Sequence, residues 1–299
     1  MARAPWLLVG GLGFIGEHLA YRLRQQGLEV LVLARRRSIK KRRRLAGRLE
    51  KAGVQLIPSQ RDFITAEDIE KLSPAVVYHL AGKASGSWSV QWEAHVGLAE
   101  QIVQAATRVG ARIVYVSSIA VASDAAEASP GEIITEHDVP PGPEAAFETI
   151  HAETKATGER VISSSGGRWV IVRPGLVYGP GEAHSEVKLL RTAAKLRVAP
   201  ISRLVPIVHV VDVADILSMA GHGGFDGKVL HLVSKYTLGD LALELCSGRC
   251  LRASVDGLLS LGRLAPRSSK LRLAWSLVRR RYRYRSRVLQ TYPWRLGPV

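Results

Sequence analysis

Along the first half of the chain, short apolar runs alternate with longer stretches whose apolar residues recur at helical spacing. Trp6–Val9, Glu29–Ala34, Val54–Pro58, Ala75–Ala81 and Arg112–Ser117 are of strand length and rich in Val, Ile and Leu. Near-continuous apolar runs suit strands buried on both faces of a parallel sheet. Between them, helical spacing runs from a glycine turn to Gln26, with Gly27 closing the helix, then through a basic stretch to Ala52, and over Trp92–Val109. Segment 122–146 is rich in Ala, Pro, Gly and acids and reads as a loop, followed by a helix carrying His151 and Lys155 and a strand at Trp169–Arg173. Strands alternating with helices predict a doubly wound parallel α/β sheet.

Past Gly181 the pattern becomes irregular, with short strands at Ile207–Val211 and Val229–Val233 and helices near 186–197, 212–220 and 237–247. The chain therefore reads as a nucleotide-type domain over 1–180, a small α/β C-terminal lobe over 181–267 intertwined with the first, and a tail over 268–299. The tail sets Leu271, Leu273, Trp275, Leu277 and Val278 among arginines, then alternates Arg and Tyr through Arg281-Tyr282-Arg283-Tyr284-Arg285, a basic amphipathic and aromatic segment.

Bulk composition narrows the class. At 299 residues and 46% apolar, the chain can bury a sizeable core, and no apolar run approaches the length of a bilayer span. The first strand begins almost at once, so no signal peptide is expected and the cytoplasm is the expected compartment. Cys246 and Cys250 lack the clustered Cys or His of a metal site and read as small hydrophobes, so no metal is expected. The net charge of +16 is unevenly spread: residues 35–48 hold nine Lys/Arg and no acid, and 257–299 hold eleven and no acid. The rest of the chain carries 22 basic and 26 acidic side chains, so the excess lies in two segments attached to an ordinary body. Either segment suits nucleic acid or an anionic membrane surface, or is a solvated basic face.

Gly10-Gly11-Leu12-Gly13-Phe14-Ile15-Gly16 follows a strand and opens a helix. Glycines there permit a tight turn and let backbone N–H groups approach a pyrophosphate at the positive helix end. The second strand ends Leu33-Ala34-Arg35-Arg36-Arg37 with no acid in reach. An acid at that point suits the ribose hydroxyl of NAD, whereas Arg35 and Arg36 suit the 2′-phosphate of NADP, which is favoured.

With these motifs in order, the chain resembles the extended short-chain dehydrogenase/reductases, the Rossmann-fold group that includes sugar epimerases and dehydratases, over roughly residues 5–245. Val9–Gly16 is similar to the family's glycine loop, Asp62 to its adenine-contacting Asp, and Tyr78-His79-Leu80-Ala81-Gly82 to the strand-four motif whose backbone lines the cofactor. Val114–Ser118 resembles the strand presenting the catalytic hydroxyl, with that role falling on Ser118, and Arg173–Gly181 resembles the segment at the nicotinamide end, including Pro174 and Val177. Val208–Ala214 matches a second-lobe motif. The resemblance implies a cofactor in the doubly wound domain, a small-molecule substrate under the second lobe, and a homodimer through helices around 92–109 and 148–163.

The resemblance also implies a Ser that holds the reacting oxygen, a Tyr that exchanges its proton, and a Lys that binds the ribose and lowers the Tyr pKa. Here Ser118 and Lys155 are present, but His151 stands in the phenol's place. An imidazole titrating near 6.5 is an acid/base in its own right, although a nearby ammonium depresses it. Otherwise His151 is a polar filler in a site whose chemistry is altered or lost. Three further departures accompany it: His95 where an Asn commonly supports the active-site turn, Ala122 where a Tyr often follows the Ser strand, and Arg203 displaced by two from a diphosphate-binding Arg. The leading expectation is an NADP-dependent oxidoreductase or epimerase/dehydratase-like protein acting on a small hydroxyl or carbonyl compound, sugar-derived or hydrophobic. The alternative is a catalytically degenerate cofactor-binding sensor or complex subunit that uses its basic segments on RNA, a membrane surface or a protein partner.

Overall fold

A computed structural model describes residues 4–83, 85–125, 132–137, 141–181, 185–201, 205–246, 250–254 and 283–296. In chain order the elements are β1 (Trp6–Val9), α1 (Phe14–Gln25), β2 (Val30–Ala34), α2 (Arg36–Lys41), α3 (Arg43–Lys51), β3 (Gln55–Pro58), α4 (Ala66–Glu70), β4 (Val76–His79), α5 (Trp88–Trp92), a π-helical turn (Glu93–Gly97), α6 (Leu98–Val109), β5 (Arg112–Val116), α7 (Ile119–Ala125), β6 (Ile133–Ile134), α8 (Ile150–Ser163), β7 (Trp169–Pro174) and β8 (Leu176–Tyr178). They continue as α9 (Ser185–Lys195), β9 (Val198–Ile201), β10 (Ile207–His209), α10 (Val210–His222), β11 (Lys228–Leu232), α11 (Leu238–Cys246), β12 (Leu251–Ser254) and β13 (Arg283–Tyr284).

Seven strands form one parallel sheet in the order β11-β7-β5-β4-β1-β2-β3, the predicted doubly wound arrangement. Alternate residues of each strand face opposite layers. Leu8, Val30 and Val32 pack toward α1 and α10, while Leu7, Val9, Leu31 and Leu33 pack toward α4 and α6. Strand order reverses at β1, whose neighbours are β2 and β4, so a crevice opens beyond the carboxyl ends of β1 and β4, where open α/β sheets bind ligands.

The small lobe is built from β9 paired with β12, β8 paired with β10, and helices α9 and α11 around a separate apolar cluster that includes Tyr178, Leu190, Ile207 and Leu241. Cys246 and Cys250 pack against that cluster, half-buried, as expected for small hydrophobes. Within residues 181–267, β11 joins the main sheet beside β7 and α10 packs on α1. A strand of four buried residues needs two covered faces, and only the large sheet supplies them.

Two local features depart from the sequence expectation. Residues 122–125 continue a helix rather than opening the loop, because Ser118 Oγ accepts the Ala120 N–H at 3.3 Å and Ile119, Ala120, Val121 and Ala122 bury as one apolar turn. Helix α4 was not anticipated, although Thr65 and Asp68 form a reciprocal capping box that its sequence displays.

A third feature concerns the tail, read as a basic amphipathic segment, whose residues 283–296 dock on the body of the protein. β13 pairs with β6, Ser286 Oγ donates to Glu136 at 2.5 Å, Arg287 N–H donates to Glu136 at 2.8 Å, and Leu289 enters the main core. Arg295 forms ion pairs with the fully buried Asp212 and with Asp215. Tyr284 packs, partly buried, with Ile119, Ala122, Ile134 and Val233. The remainder of the tail, 255–282 and 297–299, lies outside the described residues, as do Arg203 and residues 126–131 and 138–140 of the expected loop. No helix among the described residues is long and apolar enough to cross a membrane.

Candidate functional site

The glycine turn sits at the β1 end of the crevice. Gly10 has φ +92°, a left-handed conformation, and a Cβ there would lie 2.5 Å from the Ala81 backbone nitrogen. The two chain ends therefore touch: Leu80 N–H donates to the Val9 carbonyl at 2.9 Å, and only glycine allows that approach. Gly13 caps α1 without a side-chain acceptor, and Gly16 sets the helix close to the turn, where a Cβ would come within 2.6 Å of Gly11. Phe14, Ile15 and Gly16 form the first turn of α1, at the positive end of its dipole. The cradle thus fits a dinucleotide pyrophosphate, with the Leu80–Ala81 backbone lying against Gly10.

At the end of β2, Arg35 is half-buried and Arg36 exposed. Burial and the neighbouring Arg37 lower the Arg35 pKa, while Asp62 opposes them. Asp62 itself is exposed on the loop after β3, in electrostatic reach of Arg35. Pro174 ends β7 and is buried, and Val177 in β8 packs in the same apolar cluster as Leu12 of the glycine turn, so both segments converge on one end of the sheet. Arg173 is held in a buried bidentate pair with Glu159 at 2.8 and 2.6 Å.

Helix α8 starts where Thr149 Oγ1 accepts the Ala152 N–H, which sets His151 in its first turn and Lys155 one turn further along the same face. The Lys155 ammonium is buried, donates to the Val116 carbonyl at 2.7 Å and lies 4.8 Å from the Tyr115 ring centre. It also borders the strand-four turn, 3.3 Å from where a Gly82 Cβ would stand. Burial lowers its pKa to about 7, against the opposing pull of Glu159. Ser118 is buried at the end of β5, its lone pair engaged by Ala120 N–H. The adjacent Ser117 Oγ is buried with no partner among the described residues.

His151 Nδ1 lies 3.3 Å from the Lys83 carbonyl, which as an acceptor requires Nδ1 to carry the proton and leaves Nε2 bare. Burial and the Lys155 ammonium lower its pKa to about 4. The imidazole is therefore neutral across the physiological range, and the free value near 6.5 does not apply. His95 and His151 meet edge to face with ring centres 5.3 Å apart. His95 is fully buried, with Nε2 accepting from Lys83 N–H at 3.1 Å and Nδ1 at 2.8 Å from Thr154 Oγ1. Thr154 and the Lys83 backbone escaped sequence reading, since neither carries a motif and their role arises only when β4 and α8 meet. Among the described residues no group of three or more His, Cys, Asp or Glu is disposed to hold a metal.

The doubly wound parallel sheet and the glycine turn at its switch point have the architecture of a dinucleotide-binding α/β domain. The sequence profile of the NAD dependent epimerase/dehydratase family matches residues 6–232. The chain belongs to that family, and by that membership it is an NAD(P)-dependent oxidoreductase- or epimerase-like enzyme. Its fold is similar to that of the Bordetella bronchiseptica enzyme WbmG, solved with NAD and UDP, at 18% identity and TM-score 0.63, covering 84% of this chain and 81% of that one. It is likewise similar to Helicobacter pylori ADP-L-glycero-D-manno-heptose-6-epimerase, at 18% identity and TM-score 0.62, over 84% and 85% of the two chains. The terminal R domain of the myxalamid biosynthetic pathway shares 21% identity and TM-score 0.68 over 93% of this chain and 78% of that domain. No curated protein matches the sequence.

Proposed function

We propose that the protein oxidises a small hydroxyl compound, alone or as the first half of an epimerisation or dehydration, with NADP favoured over NAD. The observation that carries this reading is the 3.3 Å contact of His151 Nδ1 with the Lys83 carbonyl, which assigns the proton to Nδ1 and makes Nε2 a proton acceptor with no proton to give. A neutral imidazole in that state takes the proton of an alcohol but does not protonate a ketone, which sets the direction of the first step. Ser118 Oγ–H would hold the reacting oxygen, and the two further N–H donors of Lys155 would hold the ribose. The nicotinamide, when bound, supplies the hydride acceptor. The cradle of Gly10, Gly13, Phe14, Ile15 and Gly16 would hold the pyrophosphate, Arg35 and Arg36 the 2′-phosphate, and Asp62 the adenine side. Leu80–Gly82, Pro174 and Val177 would line the nicotinamide end.

The direct test is titration with NADP and NAD, followed by a screen of sugar-derived and apolar alcohols. Tighter binding of NADP, and alcohol oxidation that disappears in His151→Ala and persists or rises in His151→Tyr, is the expected result. Equal affinity for the two cofactors would sink the NADP assignment. Turnover indifferent to residue 151 would sink its role as the base.

A second reading is favoured by the basic segment. Arg36, Arg37, Lys40, Lys41, Arg42, Arg43 and Arg44 are exposed on α2, α3 and the turn between them, and none forms an ion pair among the described residues. One 2′-phosphate needs at most two of these cations, so a cofactor-binding subunit that also docks a polyanion fits the surplus. The apolar side of α3 (Leu45, Ala46, Leu49) is consumed by the core, which favours nucleic acid over insertion into a bilayer surface. Salt-sensitive binding of RNA that is lost on replacing Lys40–Arg44 by Ser is expected. Binding to acidic vesicles alone would overturn the nucleic-acid reading.

A further inference from the structure

Two of the family departures, His95 and His151, meet on one residue. The backbone of Lys83 donates its N–H to His95 Nε2 at 3.1 Å and presents its carbonyl to His151 Nδ1 at 3.3 Å. The other side of His95 is fixed as well. Thr154 Oγ1 spends its proton on the Ile150 carbonyl at 2.7 Å, so toward His95 Nδ1, 2.8 Å away, it is an acceptor. His95 must therefore carry its proton on Nδ1 and leave Nε2 bare, which is the state required to receive Lys83 N–H. Two independent contacts demand the same tautomer. Burial and the Lys155 ammonium keep this ring neutral, so a second proton does not break the arrangement.

The contacts close into a ring. Thr154 and His151 lie on α8, His95 on the π-helical turn before α6, and Lys83 on the turn after β4. A π-helical turn inserts an extra residue into the helical ladder and swings the side chains along it. His95 sits within that turn, fully buried, reaching from the α6 side to the cofactor-lining turn. Gly82 makes room for it, since a Cβ there would stand 3.3 Å from His95 Nε2 and from Lys155 Nζ alike.

We infer that His95 is the positioning residue for His151: through Thr154 on one side and the Lys83 peptide on the other, it holds the carbonyl that fixes the His151 tautomer, so the two histidines work as a coupled pair. The inference deepens the reading of His151 as the proton acceptor and rests on it for its functional meaning. The tautomer itself is observable without any turnover.

The experiment uses the full-length protein labelled with 15N-histidine and two-bond 1H–15N spectra of the imidazole rings, with His151 assigned by its disappearance in His151→Asn. The wild-type protein should show His151 with a protonated Nδ1 and a bare Nε2. Thr154→Val removes the acceptor for His95 at nearly constant shape, and His95→Ala removes the ring. Both should cost His151 its fixed pattern, with loss of the Nδ1–H signature to a tautomer mixture. His95→Gln, whose carbonyl reaches the position of Nε2, should restore it, a rescue that a purely packing role would not give. Where turnover is measured, His95→Ala should lower kcat about tenfold or more and leave KM nearly unchanged, as misorientation of a catalytic histidine does. A His151 pattern unchanged in both Thr154→Val and His95→Ala, or a wild-type His151 protonated on Nε2, overturns the inference. If the tautomer responds as stated while no alcohol is oxidised, the positioning stands and the proposed reaction fails. If turnover needs His151 but its tautomer ignores residues 95 and 154, the reverse holds.

Discussion

Replacing Glu159 by Gln should destabilise the fold and disturb the site together. The Arg173 and Glu159 side chains are 4% and 0% exposed and share two charge-assisted bonds of 2.8 and 2.6 Å. In Glu159→Gln the guanidinium stays buried against a neutral amide that accepts one bond, and breaking a buried pair from one side costs about 3–5 kcal/mol. The retained bond puts the expectation near the low end, about 3 kcal/mol, a substantial part of a native stability of about 5–15 kcal/mol. With a urea m-value of about 3 kcal/mol/M, the unfolding midpoint should fall by about 1 M at unchanged m. Removing both charges in a Glu159→Leu/Arg173→Met double variant should recover most of the loss, because no buried charge is then left unpaired. The same variant removes the one group that raises the Lys155 pKa, which should drop below its value of about 7 and weaken nucleotide binding at neutral pH. A midpoint shift under about 0.3 M, or a double variant worse than the single one, would refute the reading of Glu159 as the carboxylate that balances the buried Arg173 charge.

Other outcomes follow from the same geometry. Gly10→Ala places a methyl 2.5 Å from the Ala81 nitrogen at φ +92°, so calorimetric titration should find cofactor binding abolished, and retained affinity would remove Gly10 from the cradle. The depressed histidines make stability fall with acid: the unfolded chain takes up protons from about pH 6.5, the folded His151 only near 4, and His95 acts in the same direction. Stability should therefore be full above about pH 6.5 and decline toward pH 4, by up to about 3 kcal/mol from His151, and His151→Asn should flatten that part of a urea-midpoint profile. Ending the chain before residue 283 leaves the buried carboxylates of Glu136 and Asp212 without Ser286, Arg287 and Arg295. The melting temperature should drop by about 10 °C or more, and a tail-less protein with unchanged melting would contradict the docked strap.

Much of the fold was legible in the chain because its signals are local. Strand runs buried on both faces, the glycine turn with its φ constraint at Gly10, and the spacing of Ser118, His151 and Lys155 each depend on residues close in sequence, and they led to the doubly wound sheet and the family. Helix α4 was equally legible in its Thr65–Asp68 capping box but too short to draw notice. Tertiary structure decided what depends on distant partners. β11 counts as a strand of the large sheet only because β7 lies beside it, and the Arg–Tyr tail, read as a basic amphipathic segment, is pinned where it is described by Glu136 and Asp212. His151 could be named from the sequence as the residue in the phenol's place. Its protonation could not, because a pKa near 4 and a proton fixed on Nδ1 arise from the Lys155 ammonium, burial and a carbonyl 68 residues away, which only the folded chain brings together.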